Sequence, residues 1–128
     1  MKVKRKAIGA DITPGTGTHF RVWAPKCSRV EVVLEGNSVA TVLKAEEGGF
    51  FAGIVEAARA GSLYRFRLDG KAPLYPDPAS RFQPEGPHGP SQVVDPHTFA
   101  WTDATWRGVP REGQVLYEIG RASCRERV

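Results

Sequence analysis

Asp77, Glu85, Asp95, Asp103 and Glu112 fall in the loop-rich second half of the chain. Two such carboxylates held at the right separation can act as general acid and general base, one giving a proton while the other takes one. Asp77 and Asp95 each precede a proline, where turn formation accounts for an aspartate without any catalytic role. His19, His88, His97 and Cys27 carry atoms that ligate metals, but no two of them have the spacing of a C-x-x-C or H-x-x-x-H pair, so no metal site is expected. "GTGTHF" has close glycines without a preceding strand or a following helix; it reads as a turn before a strand, and no dinucleotide or other cofactor is expected. "KVKRK" near the start could meet phosphate groups. It lacks the interleaved aromatics of a nucleic-acid surface and is read as a solvated terminus.

The three tryptophans are the more informative residues. Trp23 falls on the polar side of its segment, and Trp101 and Trp106 lie among turn residues. An exposed indole is a natural platform for the apolar C–H face of a sugar ring, worth about 0.5–1.5 kcal/mol beyond area burial. The competing reading is that they are core or interface residues, because tryptophan is highly buried on average.

Strand periods dominate the elements that must position these groups. In "THFRVWAP" Phe20 and Val22 alternate with His19, Arg21 and Trp23; in "SRVEVVLEG" Val30, Val32 and Leu34 alternate with Arg29, Glu31 and Glu35. "SVATVLKAEEGGFFAGIV" reads as a strand, a turn at Gly48-Gly49 and a second strand. "SLYRFRLDG" sets Tyr64, Phe66 and Leu68 against Arg65 and Arg67 before Asp69-Gly70 turns the chain. "VEAARAG" could hold a helical turn, but its length favours a loop. Short strands about ten residues apart with glycine-rich turns predict an all-β, antiparallel sandwich. Residues 71–96 carry seven of the ten prolines, yet Leu74, Tyr75, Phe82, Val93 and Val94 are too apolar for a flexible linker. The expectation is an ordered loop wrapped on the sandwich and pinned by buried Tyr75 and Phe82, followed by a final strand at "QVLYE".

At 128 residues the chain fits one domain. The net charge of +4 falls to +2 without Ile119–Val128, since 15 basic residues then face 13 acidic ones. That gives little reason to expect nucleic acid. One cysteine, Cys27, remains outside the tail, so no disulfide framework exists and a reducing compartment is expected. No apolar segment of signal or membrane-spanning length occurs, and the reading is cytoplasmic, with no membrane partner.

"FRVWAPKCSRVEVVL", "GSLYRFRLDG", "PDPASRFQPEGPHGPSQVVDP" and "VLYE" together resemble the amino-terminal domain of malto-oligosyltrehalose trehalohydrolases, members of the alpha-amylase family (glycoside hydrolase family 13). The first two stretches are shared with branching and debranching enzymes, whose glucan-binding lead domains are the alternative. The proline-rich stretch, from Asp77-Pro78-Ala79-Ser80-Arg81 to Asp95-Pro96, is the specific part, with Pro87 a small departure from the family pattern. The resemblance implies an immunoglobulin-like (E-set) sandwich over residues 1–100, including the wrapping loop at 71–96, and a connection at 101–118 to a catalytic (β/α)-barrel that this chain lacks. The full enzyme would hydrolyse the α-1,4 bond of malto-oligosyltrehalose to release trehalose, by two carboxylates about 5–5.5 Å apart. None of the barrel motifs is present, so no residue of this chain is expected to be catalytic. Trp23, Trp101, Trp106, Arg81 and His88 are the candidates for contact with substrate or barrel. The partners implied are the barrel itself and a maltodextrin-type glucan.

In that family "YE" continues into the first barrel strand, whereas here Ile119-Gly120-Arg121 follow. One codon spelling of Ile119–Val128 resembles read-through into a sequencing adapter, and residues 119–128 are expected to be non-native.

Overall fold

The computed structural model describes residues 7–37 and 40–119. The basic run at 2–6 and the tail after Ile119, with Cys124, lie outside the described residues. Two compact units are present, Met1–Thr98 and Phe99–Val128.

The first unit is two packed antiparallel sheets. One is built from β1 (Gly9–Thr13), β2 (Gly17–Trp23), β5 (Lys44–Glu46) and β6 (Phe50–Val55), in the order β1-β2-β6-β5. The other is built from β3 (Val30–Leu34), β4 (Ala40–Val42), β7 (Leu63–Leu68) and β8 (Lys71–Tyr75), in the order β4-β3-β7-β8, with the short β9 (Ser91–Gln92) also pairing β7. The sandwich expected from the alternating periods is present, because each period puts one apolar face inward. Phe20, Val22, Phe51 and Val55 come from the first sheet and Val30, Val32, Tyr64 and Phe66 from the second, all of them buried. The Tyr64 ring meets Phe20 edge-on at 4.8 Å and Phe66 at 5.9 Å, which ties the sheets through one aromatic cluster.

Several local expectations are corrected. The single strand read before Gly48-Gly49 is two strands in different sheets: β4 pairs with β3, β5 pairs with β6, and the chain crosses between the layers at buried Leu43. Leu43 donates its amide to the Val30 carbonyl at 2.9 Å, so the crossing leaves no backbone donor stranded there. Strand β3 is buried on both faces, including Glu31 at 5% exposure. As an inner strand it is covered by its neighbours' side chains, and the Glu31 carboxylate accepts from Arg29 at 2.9 Å. Within the proline-rich stretch, 71–75 forms β8, where Pro73 is tolerated because an edge strand does not need every N–H.

Tyr75 and Phe82 do not pin that stretch, being 45% and 51% exposed. Its anchors are polar groups together with Val93, which is buried in the core. In the second unit, residues 114–118 form no strand, and Val115, Leu116 and Tyr117 are exposed. An apolar run becomes a strand only when a neighbouring edge supplies hydrogen-bond partners, and among the described residues none does.

Candidate functional site

Trp23 ends β2, and alternation from buried Phe20 and Val22 turns it to the outer face of the first sheet, 59% exposed. Its indole N–H donates to the Gly48 carbonyl at 3.0 Å. The same turn is held by the Ala24 amide, which donates to the Gly49 carbonyl at 2.9 Å. Gly49 is required there: at φ +81° a side chain is strained, and a Cβ would come within 2.6 Å of Pro25. The indole is thus oriented by a turn from another strand pair, with its polar edge satisfied and its ring presented outward.

Beside it, Arg21 lies over the Phe50 ring at 3.8 Å, and its Nε donates to Glu46 at 2.8 Å. These cross-strand contacts close the surface between β2, β5 and β6. A guanidinium packed on an aromatic ring and paired with a carboxylate is a stiff element.

Asp77, set aside as a turn residue, proves to be the most highly connected acidic side chain of the loop. It is 3% exposed. Oδ2 accepts from the Tyr64 hydroxyl at 2.7 Å, Oδ1 accepts from the Ala79 amide at 2.8 Å, and the Asp77 amide donates to the Ser91 hydroxyl at 2.9 Å. Burial pushes the Asp77 carboxyl above its usual range, opposed by the Tyr64 and Ala79 hydrogen bonds and by Arg81. Burial, and then the Asp77 charge, push the Tyr64 phenol up as well. Sequence reasoning read the Asp-Pro turn, which the Ala79 bond bears out, but burial beneath β7 leaves no local signal.

Arg81 follows a few residues further along this loop. Its guanidinium donates to the Ala10 carbonyl and pairs with Asp11 at 2.5 Å, bracing the loop to β1. The loop is therefore fastened to both sheets. His88 is exposed in a turn of the same loop.

Trp101 and Trp106 belong to the second unit. Trp101 packs edge-on against Phe99 at 4.8 Å, and Trp106 closes a turn by donating its amide to the Asp103 carbonyl at 2.8 Å. They are 74% and 68% exposed. Among the described residues no cluster of three or more His, Cys, Asp or Glu could hold a metal ion, and no helix is long and apolar enough to cross a membrane.

The family model of carbohydrate-binding module 48 (isoamylase N-terminal domain) matches residues 7–97. The malto-oligosyltrehalose trehalohydrolase of Deinococcus radiodurans is 40% identical over 90% of this chain, and that of Saccharolobus solfataricus is 35% identical over 80%. A 1,4-alpha-glucan branching enzyme of Xanthomonas euvesicatoria is 33% identical over 94% of the chain. Among solved structures, a provisional alpha amylase of Salmonella typhimurium superposes with a TM-score of 0.73 and 33% identity over 83% of this chain and 18% of its own. The chain spans 18% of the length of each of these three curated relatives.

Proposed function

The chain belongs to the carbohydrate-binding module 48 family, and on that premise we propose that it is the non-catalytic lead domain of a trehalose-releasing glycoside hydrolase acting on malto-oligosyltrehalose. The observation that carries this reading is the run of trehalohydrolases, at 33–40% identity, among its relatives. The sandwich does not supply the chemistry. A retaining glycosidase needs two carboxylates facing one glycosidic bond, whereas Asp77 is buried and committed to Tyr64 and Ala79. The work of the domain is to dock beside a (β/α)-barrel and to hold glucan near it. Trp23 is the stacking platform, the stapled loop carrying His88 and the segment with Trp101 and Trp106 are the barrel contacts, and Arg81 is the brace that keeps the loop in place. Residues 1–100 form the domain, 101–118 the connection to the barrel, and 119–128 are not native. A cytoplasmic setting is part of the same proposal.

The test is a chimera in which residues 1–118 replace the corresponding part of the Deinococcus radiodurans enzyme. Trehalose release from malto-oligosyltrehalose should stay within about tenfold of the parent, and the chain alone should release none. A folded chimera that forms branches instead of trehalose, or hydrolysis by the isolated chain, would refute the assignment.

A further inference from the structure

The first sheet's outer face carries a second feature, well away from Trp23. Strand register places Trp23 opposite Phe50 and His19 opposite Ile54. Ile54 therefore lies four residues further along β6, about 13 Å at strand rise. It points outward as Trp23 does, because its neighbour Val55 is buried in the core, and it is 46% exposed. Around it are two open depressions, one of about 390 Å³ lined by Thr16, Ile54, Glu56 and Arg59, the other of about 340 Å³ lined by Leu34, Thr41, Ile54 and Glu56. They adjoin at Ile54 and Glu56 as one groove that passes from the outer face of the first sheet, past β6, to Leu34 in β3 and Thr41 in β4 of the second sheet.

The chemistry of the groove selects its occupant. Ile54 and Leu34 give an apolar floor, while Thr16 and Thr41 bring hydroxyls. The Arg59 guanidinium is turned back onto the Glu56 and Ala58 carbonyls, which fixes the loop. Among the described residues the Glu56 carboxylate has no hydrogen-bond or ion-pair partner, and it can accept from two adjacent hydroxyls. One acidic and one basic group side by side favour neither an anion nor a cation. Apolar floor, paired acceptor and no net charge suit a neutral polyhydroxylated ring, and each depression has the size of a small-molecule site rather than of a protein interface.

We infer that this groove is a second sugar subsite, and that a surface running from Trp23 along the outer face of the first sheet to the groove binds an extended α-glucan chain rather than a single sugar. The inference rests on the carbohydrate-binding reading above. It is tested by calorimetric titration of the full chain with maltoheptaose and with maltose, alongside Ile54→Ala/Glu56→Gln, Glu56→Gln alone and Trp23→Ala. All three positions are exposed, so the variants should keep the wild-type thermal midpoint; should the double variant melt early, Glu56→Gln carries the test. The double variant should weaken maltoheptaose binding about tenfold, as loss of a charged hydrogen bond and an apolar contact implies, and leave maltose binding at Trp23 unchanged. Trp23→Ala should weaken both. A chain that binds maltoheptaose equally well with and without the groove substitutions overturns the subsite and leaves the carbohydrate reading standing. A wild-type chain that binds neither sugar overturns both. Groove substitutions that change sedimentation but not sugar binding would make the groove a protein contact and also refute the proposal.

Discussion

Replacing Tyr64 by Phe isolates the bond that fastens the proline-rich stretch to the sandwich. The ring stays, with its edge contacts to Phe20 and Phe66, so the aromatic cluster is unchanged. Only the hydroxyl is lost, and with it the 2.7 Å donor to Asp77 Oδ2 in a site where the carboxylate is 3% exposed. Hydrogen bonds to charged groups contribute about 1.5–3 kcal/mol, and a buried acceptor left unpaired costs in the same range. A loss near 2 kcal/mol is therefore expected, a large part of a typical stability of about 5–15 kcal/mol. In urea, with a slope of about 1–3 kcal/mol/M, the midpoint should fall by roughly 1 M with the slope unchanged. The double variant with Asp77→Asn should lose much less than the sum of the single losses, since the two side chains meet directly. A Tyr64→Phe loss below about 0.5 kcal/mol, or strict additivity with Asp77→Asn, would show that Val93 and the β9 pairing hold the loop without this bond.

Phe66→Ala opens the core between the sheets, where the side chain is 2% exposed, and should cost about 3–5 kcal/mol by chemical denaturation. Asp77→Asn should flatten a pH dependence: a folded carboxyl held above its unfolded value contributes stability below about pH 3.9 and loses it as pH rises through the folded value. The difference in unfolding free energy between wild type and Asp77→Asn should therefore fall as pH is raised from about 3.5, and a difference constant with pH would count against the raised value. Gly17→Ala should prevent folding or cost more than about 2 kcal/mol, because at φ +122° its Cβ would sit 2.5 Å from the Val55 carbonyl oxygen; near-wild-type melting would contradict that close approach.

The sandwich was legible because β2 and β7 each bury one face, so alternation in Phe20-Val22 and Tyr64-Phe66 is a direct image of the layers. The same alternation placed Trp23 outside. The crossing at Leu43 was hidden, since the period runs on while the partner strand changes from β3 to β6. Tyr75 and Phe82 misled because apolarity alone suggested anchors; the fastening is done by Asp77, Ser91 and Arg81, whose polar side chains look like ordinary surface until the donors around them are known. Glu31 misled in the opposite way, a charge on the outer face of an inner strand that its neighbours cover. The groove at Ile54 and Glu56 joins residues of strands β3, β4 and β6 with the turns at Thr16 and at Glu56 and Arg59, and has no linear signature.

The most direct measurement of the central claim is an independent read of the coding DNA beyond the codon for Glu118. Continuation in frame into a barrel strand of the trehalohydrolase type is expected, with two catalytic carboxylates further downstream. A confirmed reading of Ile-Gly-Arg-Ala-Ser followed by termination after Val128 would contradict it and leave a stand-alone sandwich.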